Sequence, residues 1–332
     1  MTITPYSPTP FTTPSANPSI GSAGVAYPYC SPSEFLNWPT ALDTTQLVPG
    51  GSPQAQLQAL ADVLSAASAD MDRVCFGQDA AAKGASLAAT VSVESAAVKV
   101  IQGQLRLVCD YKPIIQVNGV DIGFAMSNLA SIGPNLAQEI TYGVRTIYVP
   151  LGTAAIFSPV LGALSAPAPT SNGTVMQVVW SYVNGYPHTE LAASVAAGAT
   201  TVDVLPTDGG TGLLGIVPNV TRLTIRDGVN TESFTVSAVS GTTLTTASPL
   251  RFAHTLPQAP DFLPVTAMPD DIKTACIFMG MFLIKTRGDS ALMLQPISEP
   301  NQAQHGSADE YFDLTYARDL LTPYRMRWKG HT

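Results

Sequence analysis

The chain has 332 residues, with 16 Lys and Arg against 24 Asp and Glu, for a net charge of −8. Its length predicts two or three domains with an ample core. Its acidity excludes a protein that wraps phosphate backbones, because that attraction needs clustered Lys and Arg. Charged residues are only 12% of the chain, against roughly 25% in average soluble domains. So sparse a charge fits a surface covered by other subunits, or a β surface rich in Thr and Ser.

Residues 1–29 are rich in Pro, Ser and Thr, and no charged side chain precedes Glu34. Such a stretch cannot form a core. It reads as an N-terminal arm, disordered alone or extended on a partner, without the basic start and apolar run of a signal peptide. Ser31-Pro32-Ser33-Glu34 is a capping box with Pro at the first helical position. The short helix it opens stops before Pro39. Ser52-Pro53 opens a second helix. Leu57, Leu60, Ala61, Leu64, Ala67, Met71 and Val74 recur at three- and four-residue spacing, predicting a helix over 53–75 that ends near Gly77.

From residue 86 the period changes to two. Val91, Val93, Val98, Val100, Leu105 and Leu107 lie in alternating stretches. Asn118-Gly119, between Ile115–Val117 and Val120–Ile122, predicts a two-residue hairpin. Further strands are expected at Thr146–Val149 and Val175–Val183. The stretch 123–145 is ambiguous, and Pro159, Pro167 and Pro169 mark a loop. A second β block follows over 188–262, with strands at Thr200–Val204, around Leu223 and Ile225, around Phe234 and Val236, and at Thr242–Thr246. Asp227-Gly228 and Gly241 are its turns, and the pattern reads as a small sandwich or barrel.

Helix returns at Pro269-Asp270-Asp271, with Lys285, Arg287 and Gly288 at the far end. Between them Ile272, Ala275–Met279 and Met281–Ile284 leave no polar face, and a helix apolar all round must be covered on all sides. Its longest apolar run, Ala275–Ile284, is far short of the ~20 residues of a membrane span, so no membrane association is expected. Ser307-Ala308-Asp309-Glu310 is a second capping box, opening a helix with Tyr311, Phe312, Leu314, Leu320 and Leu321. The fold class expected is α+β. A helical bundle is built from 30–85 and 263–322, with core positions Leu57, Leu60, Leu64, Met71, Ile272, Met279 and Leu283. A large all-β region is inserted between them, as blocks 86–187 and 188–262.

No catalytic constellation is legible. Cys30, Cys75, Cys109 and Cys276 lack zinc or redox spacing and read as buried thiols. His188, His254, His305 and His331 are scattered, and His188-Thr189-Glu190 offers two ligands where a metal site needs more. Asp208-Gly209-Gly210-Thr211-Gly212 has no helix behind it to cradle phosphate and reads as a turn. Asp309, Glu310 and Asp313 read as capping and solvated carboxylates rather than a catalytic pair. No metal or cofactor is therefore expected. Residues 323–332 form a tail in which Tyr324, Arg325, Arg327, Trp328 and Lys329 gather charge and aromatic area after the Pro323 stop. Those residue types dominate interface hot spots.

Four segments carry a resemblance: the YCSPSEFLNW start, the 53–75 helix, PDDIKTACIFMGMFLIK, and the last helix running into LLTPYRMRW. In this order they resemble the head-to-tail connector (adaptor) family of long-tailed double-stranded DNA bacteriophages. About a third of the chain is covered, and residues 86–262 are an addition to the family's helical bundle. The resemblance implies a structural virion protein of the neck, made in the host cytoplasm, and not an enzyme. It implies a homo-oligomeric ring, usually of twelve copies, on the portal protein and against a stopper or tail-terminator protein. Genomic DNA would pass through the lumen without sequence-specific binding, and the 323–332 tail would dock on the portal. Two other readings stay open: another neck, tail-terminator or baseplate component, and a ligand- or carbohydrate-binding β module.

Overall fold

The computed structural model describes residues 27–40, 42–77, 84–132, 140–151, 173–286 and 308–326. The fold is α+β, with four helices and two curled antiparallel sheets among the described residues. The loop marked by Pro159, Pro167 and Pro169, the Ser307 cap and most of the N-terminal arm lie outside the described residues.

Helix α1 (Pro32–Asn37) starts as its capping box dictates: the Glu34 amide donates to Ser31 Oγ at 3.2 Å and the Ser31 amide to Glu34 Oε2 at 3.0 Å. Helix α2 (Pro53–Phe76) is capped by Ser52, which accepts from the Ala55 amide, and ends on Gly77 at φ 92°. Its buried stripe is Leu60, Ala61, Leu64, Ala67, Ser68, Met71, Cys75 and Phe76. Leu57 and Val74 are only half-buried. Helix α3 (Asp270–Thr286) buries Ile272, Ala275, Cys276, Ile277, Met279, Gly280 and Met281. The expectation that α3 is covered on all sides needs correction: Phe278, Phe282, Leu283 and Ile284 are half-buried, still packed against the same core. Helix α4 (Ala308–Leu321) lies against α3 and buries Ala317 and Leu321.

One hydrophobic core joins Phe35 of α1, Leu60, Leu64 and Met71 of α2, Ile272 and Met279 of α3, and Leu321 of α4. Gly280 of α3 faces both α1 and α2. A β-carbon there would lie 3.2 Å from both Leu64 Cδ2 and Phe35 Cε2. The missing side chain thus allows α3 to press against α1 and α2 together. Asp313 is not a solvated carboxylate: it is buried and accepts from Lys285 Nζ at 2.6 Å, pinning α4 to α3. Phe278 meets Tyr316 edge-on, with ring centroids 4.7 Å apart.

The first sheet comprises β1 (Thr90–Ile101), β2 (Gln104–Val108), β3 (Ile114–Gly123), β4 (Ala130–Ser131), β5 (Thr141–Tyr142), β6 (Thr146–Pro150) and β7 (Val175–Asn184), in the order β4-β3-β7-β1-β2-β6-β5. It curls until its edge regions meet, where the Ile114 amide donates to Val144 O and Tyr142 Oη to Ile115 O. The Asn118-Gly119 hairpin does not form. Both residues lie inside the single strand β3, which pairs along β7 with register shifts at Ile114/Gln116 and Val117/Gly119. The long partner strand has absorbed the turn signal as a bulge.

The second sheet comprises β8 (His188–Glu190), β9 (Thr201–Asp203), β10 (Arg222–Ile225), β11 (Glu232–Ser240), β12 (Thr243–Thr246) and β13 (Pro264–Thr266), in the order β8-β13-β10-β11-β12-β9. A bridge between Leu191 and Val204 brings its two edges together around a core of Leu223, Ile225, Phe234, Val236, Leu244 and Val265. Between the sheets the chain turns on Gly185 at φ 92°, where a β-carbon would fall 2.5 Å from Ala88 O.

Leu64 is fully buried between α1, α2 and α3. Leu64→Ala is expected to cost about 2–5 kcal/mol of stability. The loss should reach α3, more than 200 residues away, seen as lower amide protection over 272–281 by hydrogen exchange.

Candidate functional site

Tyr27, Pro28 and Tyr29 tie the helices to the second sheet. Tyr27 Oη donates to Pro206 O at 2.8 Å, and Pro28 O accepts from His188 Nε2 at 2.8 Å. Tyr29 is buried, with its hydroxyl on both Asp72 oxygens at 2.7 and 2.9 Å and beside Ser86 Oγ at 2.7 Å. The Leu87 amide also donates to Asp72, at 2.9 Å. Burial pushes the Asp72 carboxyl up to about 6, against the pull of these donors. His188 is buried and held to about 4, because desolvation outweighs its bond to Pro28. Burial raises Glu190, on the next strand position but one, to about 7.

The expected docking residues divide. Arg327, Trp328 and Lys329 lie outside the described residues, with the rest of 327–332. Tyr324 is not free for a partner: it is half-buried against the helical core and meets Tyr186 edge-on at 6.1 Å. Arg325 Nη2 donates to Arg318 O at 3.1 Å, the Met326 amide donates to Cys75 O at 2.8 Å, and Lys112 Nζ donates to Pro323 O at 2.6 Å. The root of the tail is therefore fastened at α2, α4 and the first sheet. The fastening extends past Pro323 to Met326, the last described residue.

The expected core residues Leu60, Leu64, Met71, Ile272 and Met279 share one buried cluster, and Leu283 packs on its margin. Leu57 is half-buried outside it. Asp208 closes its own glycine turn by accepting from the amides of Gly210 and Gly212, at 2.8 and 3.0 Å. All four cysteines are buried thiols. Burial pushes Cys75 and Cys276 up to about 12, away from reactivity. The side chains of Asp309 and Glu310, with His305 and His331, lie outside the described residues.

Spacing gave no hint of His254. Its ring is fully buried between Asp227 Oδ2 and Glu232 Oε1, each 2.9 Å from a ring nitrogen. Glu232 also accepts from the Arg251 and Phe252 amides. Burial would raise the Glu232 carboxyl, yet these donors and the imidazole hold it below the usual range. The cluster fastens the 250–254 loop to the β10–β11 turn. The two carboxylates come from either side of that turn and the histidine from far along the chain, so no short motif reveals them. No group of three or more His, Cys, Asp and Glu side chains suited to a metal occurs among the described residues. Among them, no helix is long and apolar enough to cross a membrane. In comparison with known proteins, no family model and no curated protein matches the chain.

A carboxyl raised by burial favours folding only while neutral. Glu190 thus contributes most below about 4.3, its unfolded value, and that contribution is lost as pH rises through about 7. Glu190→Gln, which stays neutral, should gain on the wild type by a few degrees in Tm between pH 4 and pH 8. A constant difference in Tm across that range would contradict the assignment.

Proposed function

We propose that the chain is a structural virion protein, a subunit of a head-to-tail connector ring. The ring joins the portal to the tail or stopper in the phage neck and surrounds the DNA exit channel. In this reading 30–85 and 263–322 form the connector bundle and 86–262 is an inserted β region, except that β13 (Pro264–Thr266) belongs to the second sheet and extends that region past 262. Twelve copies close head to tail. The observation that carries the proposal is the packing of Phe35, Leu64 and Gly280, from segments matching the family's order, around one core. The low charge density, 12% of residues, suits a protein with much of its surface against neighbours.

The acidic net charge suits a lumen through which DNA slides without adhering. The role is scaffolding rather than catalysis, since the buried titratable groups described above hold structural positions. The carbohydrate-binding alternative is less well supported. It needs Trp180, Tyr182 and Tyr186 on a concave open face, but Trp180 and Tyr182 are buried in the core enclosed by the first sheet and Tyr186 packs on Tyr324. Another neck or tail-terminator role shares the same features and differs in symmetry and neighbours.

Two measurements test the proposal. Electron cryo-microscopy of necks containing this chain should show a cyclic ring between portal and tail. A single copy or a two-fold dimer would refute it. The fastening at Met326 defines a cleaner truncation than Pro323: deleting 327–332 keeps the contacts of Tyr324 and Met326. That variant should stay folded and soluble but bind portals at least about thirtyfold more weakly, the loss of one aromatic hot spot per subunit. Unchanged portal occupancy would remove the tail as the anchor.

A further inference from the structure

A cleft of about 940 Å³ opens between α1, the first turn of α3 and the β10–β11 turn. Arg226, the residue after β10, lines it. The Arg226 side chain is only 5% exposed. Its Nη2 donates to Met268 O at 2.8 Å and lies 3.5 Å from Asp270 Oδ1, while its Nη1 has no hydrogen-bond partner. A buried guanidinium is normally placed for a planar, two-oxygen partner. Glu34 on the same lining feels its charge, but the one ion pair it makes among the described residues is with Asp270. Asp270 is a weak substitute. Its side chain is 80% exposed, and the same oxygen is shared with Lys273 Nζ at 3.4 Å. A carboxylate therefore already hovers between two cations, held loosely from the solvent side.

From this geometry we infer that the cleft is a binding site for a carboxylate carried by a protein segment, seated between Arg226 and Lys273 in place of Asp270. The charge around the site selects the ligand. Glu34, Asp227 and Asp270 outnumber Arg226 and Lys273 on the lining. That excess repels a phosphate dianion about twice as strongly as a carboxylate monoanion, and the monoanion matches the guanidinium fork. The walls select what the carboxylate is attached to. Trp38 lines the cleft, and Val229, on the turn at its rim, is 97% exposed. An indole and a fully exposed valine beside a desolvated cation suit an apolar residue next to the carboxylate, as on a peptide. The site stands apart from the C-terminal tail and does not depend on the ring assembly.

The test uses the full chain, labelled for NMR, and follows the indole N–H of Trp38, identified by its loss in Trp38→Phe. N-acetylleucine presents a terminal carboxylate and N-acetylglutamate α-amide a side-chain one; acetate and inorganic phosphate are the simple anions. One of the two amino-acid probes should shift the Trp38 signal saturably and about tenfold more tightly than acetate, and the tighter of the two names the source. Phosphate should not compete. Asp270→Asn removes the internal competitor and should tighten binding several-fold, whereas Lys273→Gln should weaken it about tenfold. Both side chains are on the rim, so these variants remain informative even if Arg226→Met fails to fold. The inference is overturned by the absence of a saturable shift, by preferential binding of phosphate, or by affinities unchanged in both rim variants.

Discussion

A helix with apolar side chains on almost every face cannot stand at a protein surface, and α3 is such a helix. Its cover has to come from several directions at once. The structure supplies α1 and α2 from one side and α4 from another, the first two far from α3 in sequence and the last separated from it by residues 287–307. Gly280 makes the approach close enough, because Phe35 and Leu64 occupy the space a β-carbon would need. Once residues 32–76 and 270–321 are committed to this core, the intervening chain must leave it and return near the same place. The two sheets satisfy that requirement, since β1 begins at Thr90 beside the end of α2 and β13 ends at Thr266 just before α3.

The contacts that hold sheets and helices together are mostly hydrogen bonds to backbone carbonyls. Pro28, Pro206, Met268 and Pro323 each offer a carbonyl to a side chain from another part of the fold. This suits a chain with few charges. A carbonyl needs no counter-ion and brings less desolvation cost than a buried carboxylate. Two enclosed carboxylates have several donors: Asp72 has the Tyr29 hydroxyl and Leu87 amide, and Glu232 has two amides and an imidazole. Arg226 is among the buried groups with an N–H unused, and it lines the cleft between α1, α3 and the β10–β11 turn.

Local signals read well from sequence when one short stretch contained the whole cause. The Ser31 box, the Ser52-Pro53 start and the Gly77 stop all have their partners within a few residues, and each is found in place. Signals that competed with a distant partner did not survive. Asn118-Gly119 has the turn chemistry of a hairpin, but pairing with eight residues of β7 is worth more than one turn, so the strand runs through it. The candidate site was the least legible. Tyr324 has no partner at helical spacing because its partner is Tyr186, and the surroundings of His254 and Arg226 are assembled from separate turns. Periodicity reports which face is apolar and does not report which residues meet across a fold.

The separation of the core halves has a consequence for synthesis. Each sheet can complete its pairing within its own stretch of chain, over 90–184 and 188–266. Helix α2 cannot complete its packing, because Ser68 and its neighbour Cys276 are 208 residues apart. At roughly 5–20 residues per second, a ribosome needs about 10–40 s to make that interval. Throughout it, the stripe of Leu60, Leu64 and Met71 is exposed on the nascent chain, while first one β unit and then, near its end, the other becomes able to fold. The apolar face that later becomes the centre of the molecule is thus its main aggregation hazard during translation. The last helices to emerge end that exposure by closing over a surface that has waited for them.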